Sequence, residues 1–214
     1  MRYFPINLNI QGKKCLVVGG GRIAERRVLS LLECGADVTI VSPRVTPMLE
    51  KLLDKKRVKY KAKTYKPGDI KGAYIVIAST NDKDLNRQIG GQAKRVGALV
   101  NIVSNSSLSD FTVPGQLRRG NLLVTISTSG TSPALSKILK AKLESILGKE
   151  YEIFTNLLEA IRRKFLCFPT RKRQHIYSQV AMSKIPELLR EKKYKHAERE
   201  LRKITGLGFN DLLS

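Results

Sequence analysis

A glycine-rich turn between an apolar run and a helical pattern is the feature that most constrains the fold. The run KCLVV over Lys14–Val18 is short, apolar and partly β-branched, which predicts a strand. The next residues, GGGRIAERR, place Gly19, Gly21 and Ala24 in the order G-x-G-x-x-A. Apolar residues at helical spacing continue to Gly35, where glycine predicts the end of the helix. A strand, a tight turn and a helix in this order predict one unit of a parallel sheet.

The same alternation continues over the first half of the chain. We predict further strands over Asp37–Val41, 58–63, 74–79 and 98–103, and helices over 46–55 and 84–96. Strands separated by helices of this length predict an α/β fold with a Rossmann-like, doubly wound parallel sheet.

The pattern changes after this sheet. Two strands are predicted over 110–114 and 122–127, with a helix after them. From about Glu150 the sequence is helical and strongly basic. We therefore predict three domains: the Rossmann domain over 1–112, a middle segment over 113–149 and a small helical C-terminal domain over 150–214.

The glycine-rich turn also predicts a ligand. Gly19 allows the tight turn, Gly21 leaves the backbone open to a pyrophosphate, and Ala24 lets the helix pack closely on the strand. The N–H groups and the positive dipole end at the helix N-terminus favour phosphate. The turn therefore predicts a dinucleotide cofactor, and a glycine turn without a ligand is the alternative.

The ends of two other strands supply further candidate cofactor contacts. After the second strand come Ser42, Pro43 and Arg44, at the point where an NAD-binding chain places an acid. Ser42 could bond ribose hydroxyls, and Arg44 could stack on adenine or meet a 2′-phosphate, so the choice between NAD and NADP stays open. After the fourth strand, Thr80 and Asn81 fall where such a sheet lines its crevice, although they could equally begin the next helix.

Small hydroxyl residues are crowded in the stretch TISTSGTSPALSKILKAKL. Thr131 or Ser132 can cap a helix whose first turn contains Pro133, and the apolar residues of that helix fall on one face. With Gly130 and the helix N-terminus, the remaining hydroxyl residues predict a binding site for a carboxylate. These remaining residues are Ser127, Thr128 and Ser129.

Composition limits the classes of partner. The chain has 40 basic and 18 acidic residues, a net charge of +22, which favours an anionic ligand or a solvated basic surface. Few aromatics and no recognisable reading motif argue against nucleic acid. With no apolar run near the ~18 residues of a membrane span and no signal peptide, we expect a cytoplasmic protein. Three cysteines and two histidines without metal-ligand spacing predict no metal site.

Together these motifs resemble the precorrin-2 dehydrogenase family, the module of siroheme synthases that forms sirohydrochlorin. The similarity covers roughly residues 3–148, and after Glu150 it is limited to helical, basic character. The segments that carry it, in order, are FPINLNIQGKKCLVVGGGRIAERR, VTIVSP, ASTND and VNIVSNSSLSDFTVPGQLRRGNLLVTISTSGTSPALSKILKAKLES.

The resemblance implies an oxidoreductase of siroheme and porphyrin biosynthesis that uses NAD to oxidise precorrin-2 to sirohydrochlorin. It also implies a homodimer, built partly by the 113–149 segment. The family's NAD contacts map to Gly21, Arg22, Ile23, Pro43, Arg44, Thr80 and Asn101. Its substrate contacts map to Ser104, Asn105 and the loop residues Ser127, Thr128, Ser129, Gly130, Thr131 and Ser132. Arg118 and Arg119 are further candidates for holding substrate carboxylates.

The chain departs from the family at one position. Members that also insert ferrous iron carry an Asp after the N-[IV]-V strand, where this chain has Ser104. A serine has no carboxylate with which to accept protons or hold iron, so the resemblance favours a dehydrogenase without ferrochelatase activity. Ser104 and Asp110 are the candidate catalytic residues of this region. Asp110 could substitute for the missing acid, or could equally cap or pair locally.

Three alternatives follow from the same residues. One is a bifunctional dehydrogenase and ferrochelatase. The second is an NAD-sensing module whose basic tail contacts nucleic acid, and the third is a scaffold with a vestigial nucleotide site.

Overall fold

The computed structural model describes residues 3–213, and the chain divides into two compact units with the boundary between Val113 and Pro114. The first unit contains a five-stranded sheet with all strands parallel, in the order β3-β2-β1-β4-β5. Its strands are β1 (Lys14–Val18), β2 (Asp37–Val41), β3 (Lys59–Lys61), β4 (Ile75–Ala78) and β5 (Leu99–Ile102). Its helices are α1 (Arg22–Glu33), α2 (Pro47–Asp54) and α3 (Lys83–Arg95), with short 3-10 turns at Pro67–Ile70 and Ser106–Leu108.

Both faces of this sheet are covered by apolar side chains. On one face, Val28 of α1 and Leu49 of α2 pack with Val17 and Ile40 of the sheet. On the other face, α3 packs against the alternate residues of β1, β4 and β5. Burial on both faces explains the unbroken apolar strands, and the predicted Rossmann-like, doubly wound sheet is confirmed.

The second unit begins with an antiparallel hairpin and continues as helices. The hairpin strands are β6 (Gly115–Arg119) and β7 (Leu122–Ile126). The helices are α4 (Pro133–Ile146), α5 (Glu150–Lys164), α6 (Thr170–Ala181), α7 (Ile185–Arg190), α8 (Tyr194–Thr205) and α9 (Phe209–Leu213). Buried residues of α5 to α9 form a separate apolar core, so the helical C-terminal region is present as predicted. The division of this unit at residue 149 stays a prediction.

One strand prediction was wrong. Residues 110–114 form no strand, and the hairpin begins at Gly115 instead. The Asp110 carboxylate accepts a hydrogen bond from the Val100 N–H at 2.9 Å, which ties this segment to the end of the parallel sheet. The pattern of the isolated segment could not reveal that contact.

Within residues 3–213, none of the helices is both long and apolar enough to cross a membrane.

Candidate functional site

A cleft of about 500 Å³ opens at the carboxyl ends of β1, β2 and β4. The strand order reverses direction here, since β1 lies between β2 and β4, and doubly wound sheets bind ligands at such a point. The cleft brings together seven of the predicted cofactor residues: Gly19, Gly21, Ser42, Pro43, Arg44, Thr80 and Asn81. Gly20, Thr46, Thr64 and Tyr65 also line it, and the sequence motifs did not identify them as candidate contacts.

Three consecutive glycines line the cleft, and the surroundings of a Cβ would differ at each of them. Gly19 has φ +120°, and a Cβ there would lie 2.6 Å from the Ser79 carbonyl oxygen. A Cβ on Gly20 would collide with the Arg44 carbonyl oxygen. A Cβ on Gly21 would meet nothing within 4 Å, so the space beside this residue is open. The backbone is therefore bare where a pyrophosphate would approach, and the turn fits a dinucleotide.

The start of α1 strengthens this fit. Gly21 is the N-cap, and no side chain in the described part of the chain caps the helix, so its first N–H groups remain available to an anion. Ala24 is fully buried, which allows α1 to lie close to the sheet. Ile23 is partly exposed, and Arg22 lines a neighbouring cleft together with Arg26.

A buried amide holds the Thr80 segment in place. The Asn86 side chain on α3 is fully buried, and its Oδ1 accepts from the Thr80 N–H (3.1 Å) and the Thr80 hydroxyl (2.8 Å). Its Nδ2 donates to the Thr80 carbonyl oxygen at 2.9 Å. Asn86 therefore fixes one wall of the cleft. The sequence signal was a polar residue at a buried position of an amphipathic helix.

Asn101 is placed on β5 and does not line the cleft. Its Nδ2 donates to the Phe111 carbonyl oxygen at 2.9 Å, and its buried Oδ1 has no partner among the described residues. This arrangement leaves one acceptor of Asn101 for a ligand or water.

The two predicted catalytic residues lie after β5. Ser104 is exposed, in a turn closed by a hydrogen bond from the Asn105 N–H to the Ile102 carbonyl. The Asn105 side chain caps the following 3-10 turn by accepting from the Ser107 N–H at 3.0 Å. Besides its bond to the Val100 N–H, Asp110 lies 3.5 Å from the Lys94 ammonium. The Asp110 carboxylate is thus already engaged by two groups of this unit.

The predicted substrate residues of the second unit form a capped loop. Ser132 is the N-cap of α4 and accepts from the Leu135 N–H at 3.2 Å, as predicted. The Thr128 hydroxyl donates to the Ser132 carbonyl and accepts from the Ser132 N–H, both at 3.1 Å. The Ser127 hydroxyl accepts from the Ser129 N–H. More of the hydroxyl groups serve the loop itself than the sequence indicated, while Ser129, Gly130 and Thr131 are exposed at its tip.

The two arginines of the hairpin differ in their surroundings. Arg119 donates to the carbonyl oxygens of Leu147 (3.0 Å) and Arg118 (2.9 Å), so its guanidinium holds the end of α4. The side chain of Arg118 is exposed.

No group of three or more His, Cys, Asp or Glu side chains within residues 3–213 is arranged to hold a metal ion.

The chain is similar in sequence and fold to known proteins. Residues 6–115 match a family described as NAD(P)-binding, and residues 119–146 match one described as the central part of a sirohaem biosynthesis protein. The precorrin-2 dehydrogenase of Bacillus subtilis is 33% identical over 160 residues, which are 75% of this chain and 98% of that protein. The solved structure of SirC, a precorrin-2 dehydrogenase, has a TM-score of 0.77 and 26% identity, and covers 96% of this chain and 100% of its own.

Longer proteins also match. The siroheme synthase of Nitrosococcus oceani is 38% identical over 151 residues, which are 71% of this chain but 32% of that protein. The siroheme synthase of Methylobacillus flagellatus is 36% identical over 77% of this chain and 36% of its own length. The chain thus spans about a third of the length of these relatives. Since it matches an NAD(P)-binding family over half its length and the Bacillus subtilis enzyme almost from end to end, the chain belongs to the precorrin-2 dehydrogenase family.

Proposed function

We propose that this chain is an NAD-dependent dehydrogenase that oxidises precorrin-2 to sirohydrochlorin. The observation that carries this proposal is the glycine-lined cleft at the carboxyl edge of the sheet, in a chain that matches a precorrin-2 dehydrogenase over 98% of that enzyme. Family membership gives the substrate class, and the cleft gives a fitting site for the cofactor.

The cofactor is held mainly by the backbone. The bare turn at Gly21 and the uncapped N-terminus of α1 would hold the pyrophosphate, and Ser42 and Arg44 at the end of β2 would contact the adenosine ribose. Asn86 fixes the Thr80 wall by three hydrogen bonds, so the shape of the cleft is preorganised. When bound, NAD supplies the hydride acceptor, and the protein contributes orientation and electrostatics.

Ser104 and Asp110 have different roles in this proposal. The bonds of Asp110 to the Val100 N–H and to Lys94 favour a positioning role, because they hold the segment after β5 against the sheet. Ser104 is exposed in the turn and its side chain makes no such bond to any residue of 3–213, and we assign it to substrate contact together with Asn105. Neither side chain therefore offers an unengaged carboxylate to take up the proton released in the oxidation.

Substrate carboxylates are assigned to the second unit. Precorrin-2 is an octacarboxylate, and the exposed tip of the hydroxyl loop offers the hydroxyl groups of Ser129 and Thr131 as donors beside Gly130. Arg118 is a further candidate because it is exposed. We assign Arg119 a structural role, since it donates to the Leu147 carbonyl oxygen.

The direct test is incubation of the purified protein with precorrin-2 and NAD. We expect the absorbance of sirohydrochlorin to appear together with that of NADH, and no change when NAD is omitted. An absent spectral change in protein that demonstrably binds NADH would rule out this activity.

Iron insertion is tested in the same assay with ferrous iron and sirohydrochlorin. We expect little or no siroheme, because Ser104 cannot accept the pyrrole protons that a carboxylate would take. Ser104→Asp should raise the rate, since the exposed turn has room for the larger side chain. Rapid metallation by the unaltered protein would contradict this use of Ser104.

We further propose a homodimer in the cytoplasm. Four apolar residues of α4 are each more than a third exposed, and the segment coincides with the sirohaem biosynthesis match over residues 119–146. They are Leu135, Ile138, Leu139 and Ile146. A second copy of the same helix is the simplest partner for such a face, since most soluble homo-oligomers are twofold dimers. Cys15, Cys34 and Cys167 form no disulfide among residues 3–213, which suits a reducing compartment.

A further inference from the structure

No acidic side chain of the described residues lines the cleft. Sixteen residues line it, and Arg44 is the one charged side chain among them. Rossmann folds that select NAD place an Asp or Glu about 20 residues after the glycine turn, where it bonds the ribose 2′-hydroxyl, and an Arg nearby accommodates a 2′-phosphate. That carboxylate would repel a 2′-phosphate. Here the corresponding strand end carries Ser42, Pro43 and Arg44.

The acids that border this region are already engaged. Glu25 lines the neighbouring cleft, and its Oε2 accepts from the Thr46 hydroxyl at 2.5 Å. The Asp69 carboxylate is only 4% exposed and is paired with Lys61 (2.9 Å) and Lys63 (2.8 Å). Two lysines on one carboxylate leave this end of the sheet positive, which favours an additional phosphate.

The backbone of Arg44 is held on two sides. The Ser42 hydroxyl donates to the Arg44 carbonyl oxygen at 2.7 Å, and Gly20 packs directly against that same oxygen. The Arg44 side chain is exposed at the rim of the cleft and forms no ion pair with any of the residues 3–213. A guanidinium on a fixed backbone can bind a phosphate through two parallel hydrogen bonds.

We propose that the cleft binds NADP(H) as well as NAD(H), and that Arg44 takes the 2′-phosphate. This inference rests on the proposed function, because it assigns a second dinucleotide to the same cleft. The cleft then discriminates weakly between the two cofactors, since it holds a phosphate partner and lacks a repelling acid.

The test is direct binding to the whole 214-residue chain, without substrate. NADH and NADPH are titrated by calorimetry, and adenosine 2′,5′-bisphosphate and 5′-AMP serve as the matched fragment pair. We expect NADPH to bind within about tenfold of NADH, and the bisphosphate to bind more tightly than 5′-AMP. Arg44→Ala should lower the affinities for NADPH and the bisphosphate by about tenfold or more, and the affinity for NADH by less than about threefold. Arg44→Lys should fall in between, because it keeps the charge and loses the two-pronged geometry.

Arg26→Ala is the matched control, since it removes the same charge from the neighbouring cleft. It should change NADPH affinity by less than about twofold. The assignment to Arg44 would be overturned if Arg26→Ala lowered the affinity for NADPH more than Arg44→Ala does. It would also be overturned if Arg44→Ala lowered the affinities for NADH and NADPH equally. Tight NADH binding without NADPH binding would overturn the inference and leave the proposed function intact, whereas failure to bind either nucleotide would contradict both.

Discussion

At the scale of single residues, Gly20 is needed for the stability of the fold, whereas Gly21 is needed for cofactor binding. Alanine at Gly20 would collide with the Arg44 carbonyl, so we expect Gly20→Ala to lower the free energy of unfolding by about 1–3 kcal/mol. Alanine at Gly21 meets open space and adopts an ordinary φ of −83°, so the fold should tolerate it. Its methyl group would stand where the pyrophosphate approaches, and NADH affinity should fall by about tenfold or more.

Chemical denaturation and NADH titration of both variants check this pair. Gly21→Ala should unfold within about 0.5 kcal/mol of the unaltered protein. Undiminished NADH binding by a folded Gly21→Ala variant would show that the dinucleotide does not approach this turn.

The sequence predicted those parts of the cleft that depend on local spacing. Gly19 and Gly21 were predicted from one turn, and Ser42 and Thr80 from the ends of two strands. Asn86 was missed because its role depends on how α3 packs beside β4. Tyr65 was missed because it enters the cleft from the loop after β3, and only the order of strands brings that loop there.

At the scale of elements, β3 is a short edge strand whose neighbourhood is held by Asp69. Burial by itself raises the pKa of this carboxyl, but hydrogen bonds from Lys63, Lys61 and the Lys66 N–H outweigh it and lower the pKa from 3.8 to about 2. A lowered folded-state pKa means that the charged form stabilises the protein above pH ~4 and that this stabilisation, about 2 kcal/mol, is lost as pH falls towards 2.

Asp69→Asn should therefore be less stable than the unaltered protein at pH ~7, and the difference should shrink as pH falls towards 2. Thermal unfolding across this pH range measures the effect. Asp84→Asn is the control, because Asp84 pairs with Arg87 while its side chain stays 81% exposed. If both variants lost the same amount of stability at neutral pH, the role assigned to Asp69 would be contradicted.

The positions of the strands were predictable where both faces of a strand are buried, because such strands have unbroken apolar sequences. The strands of the parallel sheet appear within one or two residues of their predicted bounds, whereas the predicted strand at 110–114 does not exist. β6 has the sequence GQLRR, which carries little strand preference of its own. Its pairing with β7 and the bonding of Arg119 to the end of α4 determine where it forms.

The proposed dimer can be tested by substitutions on the exposed apolar face of helix α4. Ile138 is 54% exposed on its apolar face, so Ile138→Glu should bury a charge in the interface and weaken dimerisation by about tenfold or more. Lys137→Gln changes the net charge by the same amount on the adjacent residue and should leave the dimer intact. Light scattering after size exclusion measures both masses, and a monomeric unaltered protein would contradict the homodimer.

At the scale of the whole molecule, the net charge of +22 predicts a salt-dependent reaction. A field of this sign concentrates an octacarboxylate near the protein, and added salt shortens its reach from about 10 Å at 0.1 M to about 3 Å at 1 M. The KM for precorrin-2 should therefore rise several-fold over this range, while kcat changes by less than about twofold, because the charge acts on encounter and binding more than on hydride transfer. The Kd of NADH, which carries far fewer negative charges, provides the comparison and should rise less. A KM that does not change with salt would show that the basic surface keeps the protein in solution without contributing to substrate capture.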